Sequence, residues 1–308
     1  MDHPNHYPED ERSAPVPGRS RRGGSQTTSL ILSAIALVIA CTALLLQLIP
    51  RLTHEKSEEA EEPQEVKTIY FRDRALPLLE GVPVNKYDAG AFYQDDDGFL
   101  RCGDAPIGID VSSYQGEIDW RQVAEAGVRF AMIRAGYRGY TKGKLIEDDT
   151  FRRNIEGALD AGVEVGVYIF SQAISVWEAE EEAEYVLGLI RGYDVTYPIA
   201  YDWEPIESGI KARTDDLSGE ELTRCAGAFC DAIAAAGYTP VVYFNLDQGY
   251  LTYQLDRLAG YSFWLAEYQS VPSFYYRFDF WQYTHKGSVP GISTDVDLDL
   301  DLRGQQRG

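Results

Sequence analysis

The amino-acid sequence predicts an α/β protein, an irregular TIM-like (β/α) barrel of about eight strands that follows a single transmembrane helix and a stalk. After residue 106, short apolar segments typical of buried strands alternate with amphipathic helical segments. About eight such strands in about 200 residues are typical of a compact barrel. A long uncharged segment near the N-terminus accounts for the predicted membrane helix.

The first two elements are a tail and a membrane anchor. Residues 1–26 are polar and rich in Pro, Ser, Gly and Arg, which predicts a disordered tail. The segment 27–49 has no charged residue, and its 22 residues from 28 to 49 would span about 33 Å as a helix. Because a bilayer core is about 30 Å thick, we expect a transmembrane signal anchor here.

The distribution of charge predicts the orientation of this anchor. Three arginines between residues 19 and 22 precede the span, whereas the basic residues after it are diluted by glutamates. The positive-inside rule therefore places residues 1–26 in the cytoplasm and the bulk of the chain outside the cytoplasmic membrane. Cleavage as a signal peptide and a lipoprotein start at Cys41 remain open, although no A-x-A site follows the span and further apolar residues follow Cys41.

The part of the chain behind the anchor is strongly acidic. The net charge is −21, and the whole imbalance lies after residue 49. Such a surface repels nucleic acid, so no nucleic-acid partner is expected. Residues 50–66 are Glu-rich and predict a solvated acidic stalk. Residues 67–105 contain short apolar pieces and a turn-like Asp-Asp-Asp-Gly at 95–98, which predict a small extension or hairpin of unknown role.

The region 106–303 is the predicted catalytic domain, and 304–308 is a C-terminal tail. The predicted strands are 107–111, 128–135, 163–170, 198–204, 238–245, 262–267, 280–283 and 295–298. The predicted helices are one that Asp119 caps, 151–161, 175–191, 219–236 and 247–258.

The pattern Asp202-Trp203-Glu204 closes one of these strands and is the most informative motif. Alternate side chains of a strand share a face, so the two acids should point the same way, about 6–7 Å apart. Two crowded carboxylates perturb each other's pKa, so that one can hold a proton while the other stays ionised. This is the equipment for cleaving a glycosidic bond.

Other polar and aromatic residues end neighbouring strands, where barrel enzymes carry their active sites. Carbohydrate sites combine aromatic faces, amides and carboxylates. The residues of these types at the predicted strand ends are Asp110, Tyr168, Tyr243, Asn245, Gln282 and Asp297. A core role for either tyrosine and a turn role for Asn245 remain open.

Several of these stretches resemble the glycoside hydrolase family 25 lysozymes, N-acetylmuramidases that cut peptidoglycan. The matching stretches are GIDVSSYQG at 108–116, IDW at 118–120, 130–136, 166–168, the acid pair at 202–204, WQY at 281–283 and VDLD at 296–299. The resemblance covers about 106–303 in order. It departs at Asp299, where the family commonly has Asn, and it does not account for residues 1–105.

The resemblance implies roles for the four acids. Glu204 resembles the general acid that protonates the glycosidic oxygen, which requires a raised pKa. Asp202 resembles the residue that assists the substrate's 2-acetamido group. Asp110 and Asp297 resemble flanking acids that tune this pair. We expect substrate contacts from Tyr168, Tyr243, Asn245 and Gln282.

The leading hypothesis is therefore a membrane-tethered muramidase acting on peptidoglycan glycan strands. One alternative is a non-catalytic, membrane-anchored glycan-binding module, and another is a barrel glycosidase that acts on chitin or another polysaccharide. No Cys-x-x-Cys or Cys/His cluster suggests a metal, and no cofactor is expected. His285 is the only His of the predicted barrel, which argues against Ser-His-Asp or Cys-His chemistry.

Overall fold

The computed structural model describes residues 67–206, 209 and 211–305. The segments predicted as tail, anchor and stalk, at 1–26, 27–49 and 50–66, lie outside the described residues. Within the described ranges, no helix is both long and apolar enough to cross a membrane.

The extension at 67–105 forms two small antiparallel hairpins. Its strands are β1 (Thr68–Phe71), β2 (Arg74–Pro77), β3 (Phe92–Gln94) and β4 (Leu100–Cys102). The second hairpin turns at 95–98, as the sequence predicts, because the side chain of Asp95 accepts hydrogen bonds from the amides of Asp97 and Phe99. The extension is therefore ordered structure.

A closed barrel of eight strands follows. The strands after the extension are β5 (Ile107–Val111), β6 (Phe130–Arg138), β7 (Leu145–Glu147), β8 (Glu164–Ser171), β9 (Ile199–Trp203), β10 (Pro240–Asn245), β11 (Ser262–Ala266), β12 (Phe280–Gly287) and β13 (Val296–Asp301). All except the short β7 form the ring, in the order β5-β13-β12-β11-β10-β9-β8-β6, which β5 closes by pairing with β6. The predicted barrel of about eight strands is confirmed.

The prediction of a parallel sheet is wrong for the last strand. β13 runs antiparallel to both of its neighbours, β12 and β5, while the other seven barrel strands are parallel. The connection from β12 to β13 covers only residues 288–295. A parallel crossover needs a dozen or more residues, so this short loop returns the chain in the opposite direction.

Helices cover the outside of one side of the barrel. They are α1 (Trp120–Glu125), α2 (Phe151–Asp160), α3 (Val176–Leu189), α4 (Gly219–Ala235) and α5 (Leu255–Leu258). Asp119 caps α1 through the amide of Gln122, as predicted. The predicted helix 247–258 is broken instead into a π-helical turn, Gln248–Thr252, and the short α5, because Tyr253 between them has extended backbone angles.

The extension covers part of the barrel that lacks helices. β11, β12 and β13 are joined by the loops 267–279 and 288–295, and neither loop contains a helix. The ring of Phe92 packs edge-on against Trp281 of β12 at 5.3 Å, and that of Tyr87 packs against Phe278 at 5.0 Å. Trp281 is completely buried. The extension thus takes the place of missing helices.

The barrel interior is filled in two layers. The lower layer is aromatic: Phe130 stacks on Tyr197 at 4.5 Å and contacts Phe280. A Cβ at Gly108 would lie 2.2 Å from the Phe130 ring, so only glycine fits there. Asp110, two residues further along β5, points to the same interior face above this layer. The upper layer is therefore polar, and it forms the floor of a cavity.

Candidate functional site

A cavity of about 620 Å³ opens at the end of the barrel where the parallel strands finish. Five carboxyl groups line it. Three lie on strands, Asp110 (β5), Asp202 (β9) and Asp297 (β13); Glu204 follows β9, and Asp149 lies between β7 and α2. We call this cavity the cleft. Its volume is in the range of cavities that bind small organic ligands and short saccharides.

The acid pair at 202–204 faces the cleft because of strand periodicity. Tyr201 and Trp203 point outward, where Tyr201 packs on Phe229 of α4 at 5.4 Å. Asp202 therefore points inward and is 5% exposed, and Glu204 follows in the same direction and is half-buried. The predicted placement of both acids in one cavity is found.

Asp110 and Asp297 come together through the antiparallel pairing that the sequence did not predict. They are direct partners across β5 and β13. Side chains of opposed residues lie on the same face and within about 5 Å at Cβ, so the two carboxyls are neighbours. Gln282 donates from Nε2 to Asp110 Oδ2 at 2.7 Å. This bond holds the Asp110 carboxyl at the edge of the cleft.

A further acid, Asp299, lies beneath the cleft and is completely buried. The side chains of β13 alternate, so its leucines point outward and its aspartates point into the barrel. Trp264 Nε1 donates to Asp299 Oδ1 at 2.8 Å, while Oδ2 has no partner. A proton on either Asp110 or Asp299 would let one carboxyl donate to the other.

We call Asp110, Asp202, Glu204, Asp297 and Asp299 the cleft acids. Burial raises the pKa of Asp202 well above its usual range, and the charge of Glu204 raises it further. Burial and then the charges of Asp297 and Asp299 raise the pKa of Asp110 in the same way. Burial also raises the pKa of Asp297 to about 6. The cleft therefore contains carboxyl groups that hold protons near neutral pH.

The predicted substrate contacts are only partly found at the cleft. Tyr168, Tyr243 and Gln282 line it. Tyr243 donates from its hydroxyl to Gln282 Oε1 at 2.9 Å, which turns the amide nitrogen of Gln282 towards Asp110. Both tyrosines are nonetheless more than nine-tenths buried, so they also pack the barrel interior.

Asn245 has the turn role that the sequence left open. Asn245 is not among the residues that line the cleft, although it ends β10 as expected. Its Oδ1 accepts a hydrogen bond from the amide of Gln248 at 3.0 Å, and its own amide donates to Gln248 Oε1 at 2.7 Å. The side chain therefore stabilises the turn after β10, because short amide side chains bond readily to nearby backbone.

Sequence reasoning missed Arg134, the cation nearest to the acid pair. Arg134 lies on β6, lines the cleft, and pairs with the buried Asp148 at 2.7 Å. Its charge lowers the pKa of Asp202, in opposition to burial and Glu204. A single arginine inside the otherwise apolar run 130–136 was the signal that could have identified it. Tyr268 was also missed, and its hydroxyl donates to Gln282 at 3.1 Å.

A second buried acid cluster lies at the same end, between β6, β8 and α3. Arg138 donates to Glu182 Oε1 at 2.7 Å and to Glu181 Oε2 at 2.8 Å, while Ser171 donates to Glu182 Oε2 at 2.6 Å. We call these four residues the Arg138 cluster. Burial raises the pKa of Glu182 to about 7 although every oxygen of its carboxyl has a partner.

The described residues contain no group of three or more His, Cys, Asp or Glu side chains arranged to hold a metal ion. The chemistry available in the cleft is proton transfer between carboxyl groups and a bound molecule. Carboxyls of unequal protonation beside amides and aromatic rings are suited to the hydrolysis of glycosidic bonds.

Comparison with known proteins agrees with this chemistry. Lysozyme M1 of Streptomyces globisporus is 32% identical over 200 residues, and the Autolytic lysozyme of Clostridium acetobutylicum is 30% identical over 197 residues. Each alignment covers 62% of this chain, but only 65% and 54% of the respective relative, so the chain matches less than two thirds of either.

A solved structure shares the fold. The bacterial lysozyme from Streptomyces coelicolor matches with a TM-score of 0.52 and 28% identity, over 64% of this chain and 92% of that one. A family model, glycosyl hydrolases family 25, matches residues 109–292, more than half of the chain. The chain therefore belongs to glycosyl hydrolases family 25.

Proposed function

We propose that the protein is a membrane-anchored lysozyme that hydrolyses the β-1,4 bond between N-acetylmuramic acid and N-acetylglucosamine in peptidoglycan. The observation that supports it most is the convergence of Asp202 and Glu204 on one saccharide-sized cavity whose floor carries Asp110 and Asp297. Two relatives bear the name lysozyme, which supports peptidoglycan as the substrate.

In this proposal Glu204 is the general acid. Its carboxyl proton passes to the glycosidic oxygen as the bond from that oxygen to C1 of the muramic acid breaks. Asp202 accepts a hydrogen bond from the 2-acetamido N–H of the same sugar, and the acetamido oxygen forms a bond to C1. The Glu204 carboxylate then takes a proton from water, whose oxygen attacks C1 and releases the acetamido group.

The other groups around the cleft adjust these two acids. Burial and the charge of Glu204 raise the pKa of Asp202, and Arg134 lowers it. When Glu204 carries the proton its charge no longer opposes ionisation of Asp202, and Arg134 supports the ionised form that the hydrogen bond from the acetamido N–H requires. Asp110 and Asp297, which Gln282 and burial hold in place, bind sugar hydroxyls and keep negative potential near the positive charge that develops at C1. Tyr168 and Tyr243 provide apolar surface for the sugar rings.

Mass spectrometry of released fragments tests this proposal. The full chain is purified in detergent and incubated with insoluble peptidoglycan, and the new reducing ends are identified. We expect muramic acid at those ends. Glucosamine ends would mean a glucosaminidase, binding without release would mean a glycan-binding module, and equal cleavage of chitin would mean a broader glycosidase. Each of these three outcomes would contradict the proposal.

The anchor at 27–49 forms a separate part of the proposal, supported by its uncharged length and the arginines before it. We expect the full chain in the membrane fraction, with its C-terminus accessible to protease from outside the cytoplasmic membrane. A chain lacking residues 27–49 should not sediment with membranes. Sedimentation of that shortened chain with membranes would contradict the anchor.

A further inference from the structure

A second cavity, of about 490 Å³, lies between the extension and the barrel. The hairpin of β3 and β4 forms one wall. The loop 269–271, the end of β12 and Leu298 form the other. We call this cavity the groove. The hairpin wall of the groove lies outside the family match at 109–292, whereas the loop 269–271 and β12 lie inside it.

The groove lies beside the cleft, and a thin wall separates them. Tyr268 lines the cleft, and the next residue, Gln269, lines the groove. The ring of Tyr268 packs against His285 at 4.4 Å. On β12, Gln282 faces the cleft and Thr284 faces the groove. Tyr268 therefore lies between the two cavities, and a branch of a molecule bound in the cleft would pass over it to reach the groove.

The two cavities differ in charge. Five carboxyl groups and two arginines, Arg134 and Arg138, line the cleft, which leaves an excess of acids. Lys286 and Asp97 are the single cation and the single acid among the described residues that line the groove. Lys286 is exposed, and Tyr93 is 57% exposed on the opposite wall. The cleft repels additional carboxylates, while the groove offers a lysine, an acid and an aromatic face.

We propose that the groove binds the peptide stem of peptidoglycan, a proposal that rests on the function proposed above. The stem is a side branch on the lactyl group of N-acetylmuramic acid, and it carries free carboxylates. A side branch fits a cavity beside the cleft better than a continuation of the glycan chain does. Lys286 pairs with a stem carboxylate, Tyr93 packs on the stem backbone, and the extension thereby makes the enzyme prefer peptide-bearing strands.

Two hydrogen bonds position the hairpin wall of the groove. The side chain of Gln94 donates to the carbonyl of Gly98 at 2.9 Å across the hairpin, and the amide of Leu100 donates to the hydroxyl of Tyr283 at 3.4 Å. The first bond lies within the hairpin, and the second joins the hairpin to β12 of the barrel. The hairpin wall is therefore positioned before a ligand arrives, which lowers the entropy cost of binding.

The test compares two soluble substrates, uncross-linked glycan strands that carry peptide stems and the same strands after an amidase has removed the stems. The groove variant combines Tyr93→Ala with Lys286→Gln in the full chain, at two exposed positions. We expect kcat/KM on the stem-bearing strands to fall about tenfold, through KM, and to stay unchanged on the stripped strands.

A matched control combines Tyr70→Ala with Lys86→Gln, two exposed residues of the same extension that do not line the groove. It should leave both rates unchanged. No effect of the groove variant, or an equal loss on both substrates, would overturn the peptide assignment; an equal loss would mean that the groove binds glycan.

The proposal can also be tested without cleavage. If the wild-type chain cleaves neither substrate, the proposed function is wrong, and the groove assignment is tested by binding alone. Binding is then measured with Glu204→Gln protein, where the groove variant should weaken binding of stem-bearing strands about tenfold and leave the stripped strands unaffected. Unchanged binding of the stem-bearing strands would overturn the proposal.

Discussion

Two groups of buried carboxyls lie at the same end of the barrel, the cleft acids and the Arg138 cluster. In the Arg138 cluster, both oxygens of Glu182 accept hydrogen bonds, at 2.7 Å from Arg138 and 2.6 Å from Ser171. Among the cleft acids, Asp202 Oδ1 and Asp299 Oδ2 are buried without any hydrogen-bond partner within the described part of the chain. The two groups thus differ in pairing more than in burial.

This difference separates structural acids from candidate catalytic ones. Burial raises the pKa of Glu182 to about 7 and that of Asp297 to about 6, so a raised pKa occurs in both groups. Unpaired buried carboxylates destabilise a fold, and they persist where a ligand supplies the missing partner. We therefore regard the cleft acids that line the cavity above Asp299 as the reactive group, and the Arg138 cluster as a support for β6, β8 and α3.

The largest expected effect is on cleavage by the cleft acids. Glu204→Gln removes the proposed proton donor, so we expect kcat on peptidoglycan to fall by about a thousandfold while the free energy of unfolding does not decrease. The release of reducing ends and urea unfolding measure the two quantities. The matched control is Glu164→Gln at the opposite end of β8, which should keep wild-type activity. Near-wild-type cleavage by Glu204→Gln would rule out this acid.

Substitution in the Arg138 cluster should reduce the stability of the fold, unlike Glu204→Gln. Arg138→Met leaves Glu182 buried without its cation, and we expect the free energy of unfolding at pH 7 to fall by about 3–5 kcal/mol. In the double variant Arg138→Met/Glu182→Leu no unpaired charge remains, so most of that loss should be recovered. Urea unfolding checks both. A loss below about 1 kcal/mol in the single variant would mean that the pair does not stabilise the fold.

Both the cleft acids and the Arg138 cluster should contribute to the pH dependence of stability. The pKa of Asp297 is raised from 3.8 to about 6, so near pH 5 the folded protein holds a proton that the unfolded chain has lost. For this group, the contribution to stability is therefore complete below pH 4. It is lost as pH rises through 6, by about 3 kcal/mol. Glu182, with its pKa raised from 4.5 to about 7, extends the loss towards pH 7.

Urea unfolding between pH 4.5 and 8 measures this decline, and two variants separate its sources. Asp297→Asn should remove the part between pH 4 and 6, and Glu182→Gln the part between about pH 5 and 7. Stability that rises with pH across this range would contradict the assignment, because it would require carboxyls whose pKa falls on folding.

The smallest expected effect is a gain in the free energy of unfolding when Asp299 is replaced. Burial raises its pKa well above the usual range, and its Oδ2 has no partner. In Asp299→Asn, the amide oxygen still accepts from Trp264, while the new NH₂ group can donate to Asp110. We expect about 1 kcal/mol of added stability at pH 7, measured by urea unfolding, and cleavage close to wild type. Destabilisation would show that Asp299 shares a proton with Asp110 that the fold requires.

Sequence reasoning located the cleft better than it described its surroundings. Alternation along a single strand was enough to place Asp202 and Glu204 in one cavity, because the direction of side chains is a local property of the backbone. The same argument could not choose between a site role and a turn role for Asn245. Its bonds to Gln248 stabilise the turn after β10 and join residues beyond the strand. Arg134 was missed because its partner Asp148 lies on a different segment.

Taken alone, the sequence determined the eight-strand barrel, the alternation of helices and strands and the acid pair, since each follows from periodicity within a short window. Only the tertiary structure decided that β13 runs antiparallel and thereby sets Asp297 beside Asp110, and that the extension packs on Trp281. These pairings join segments far apart in the chain. Their choice depends on loop length and on which apolar surface is left uncovered once the barrel has closed, and neither is visible in the periodicity of one segment.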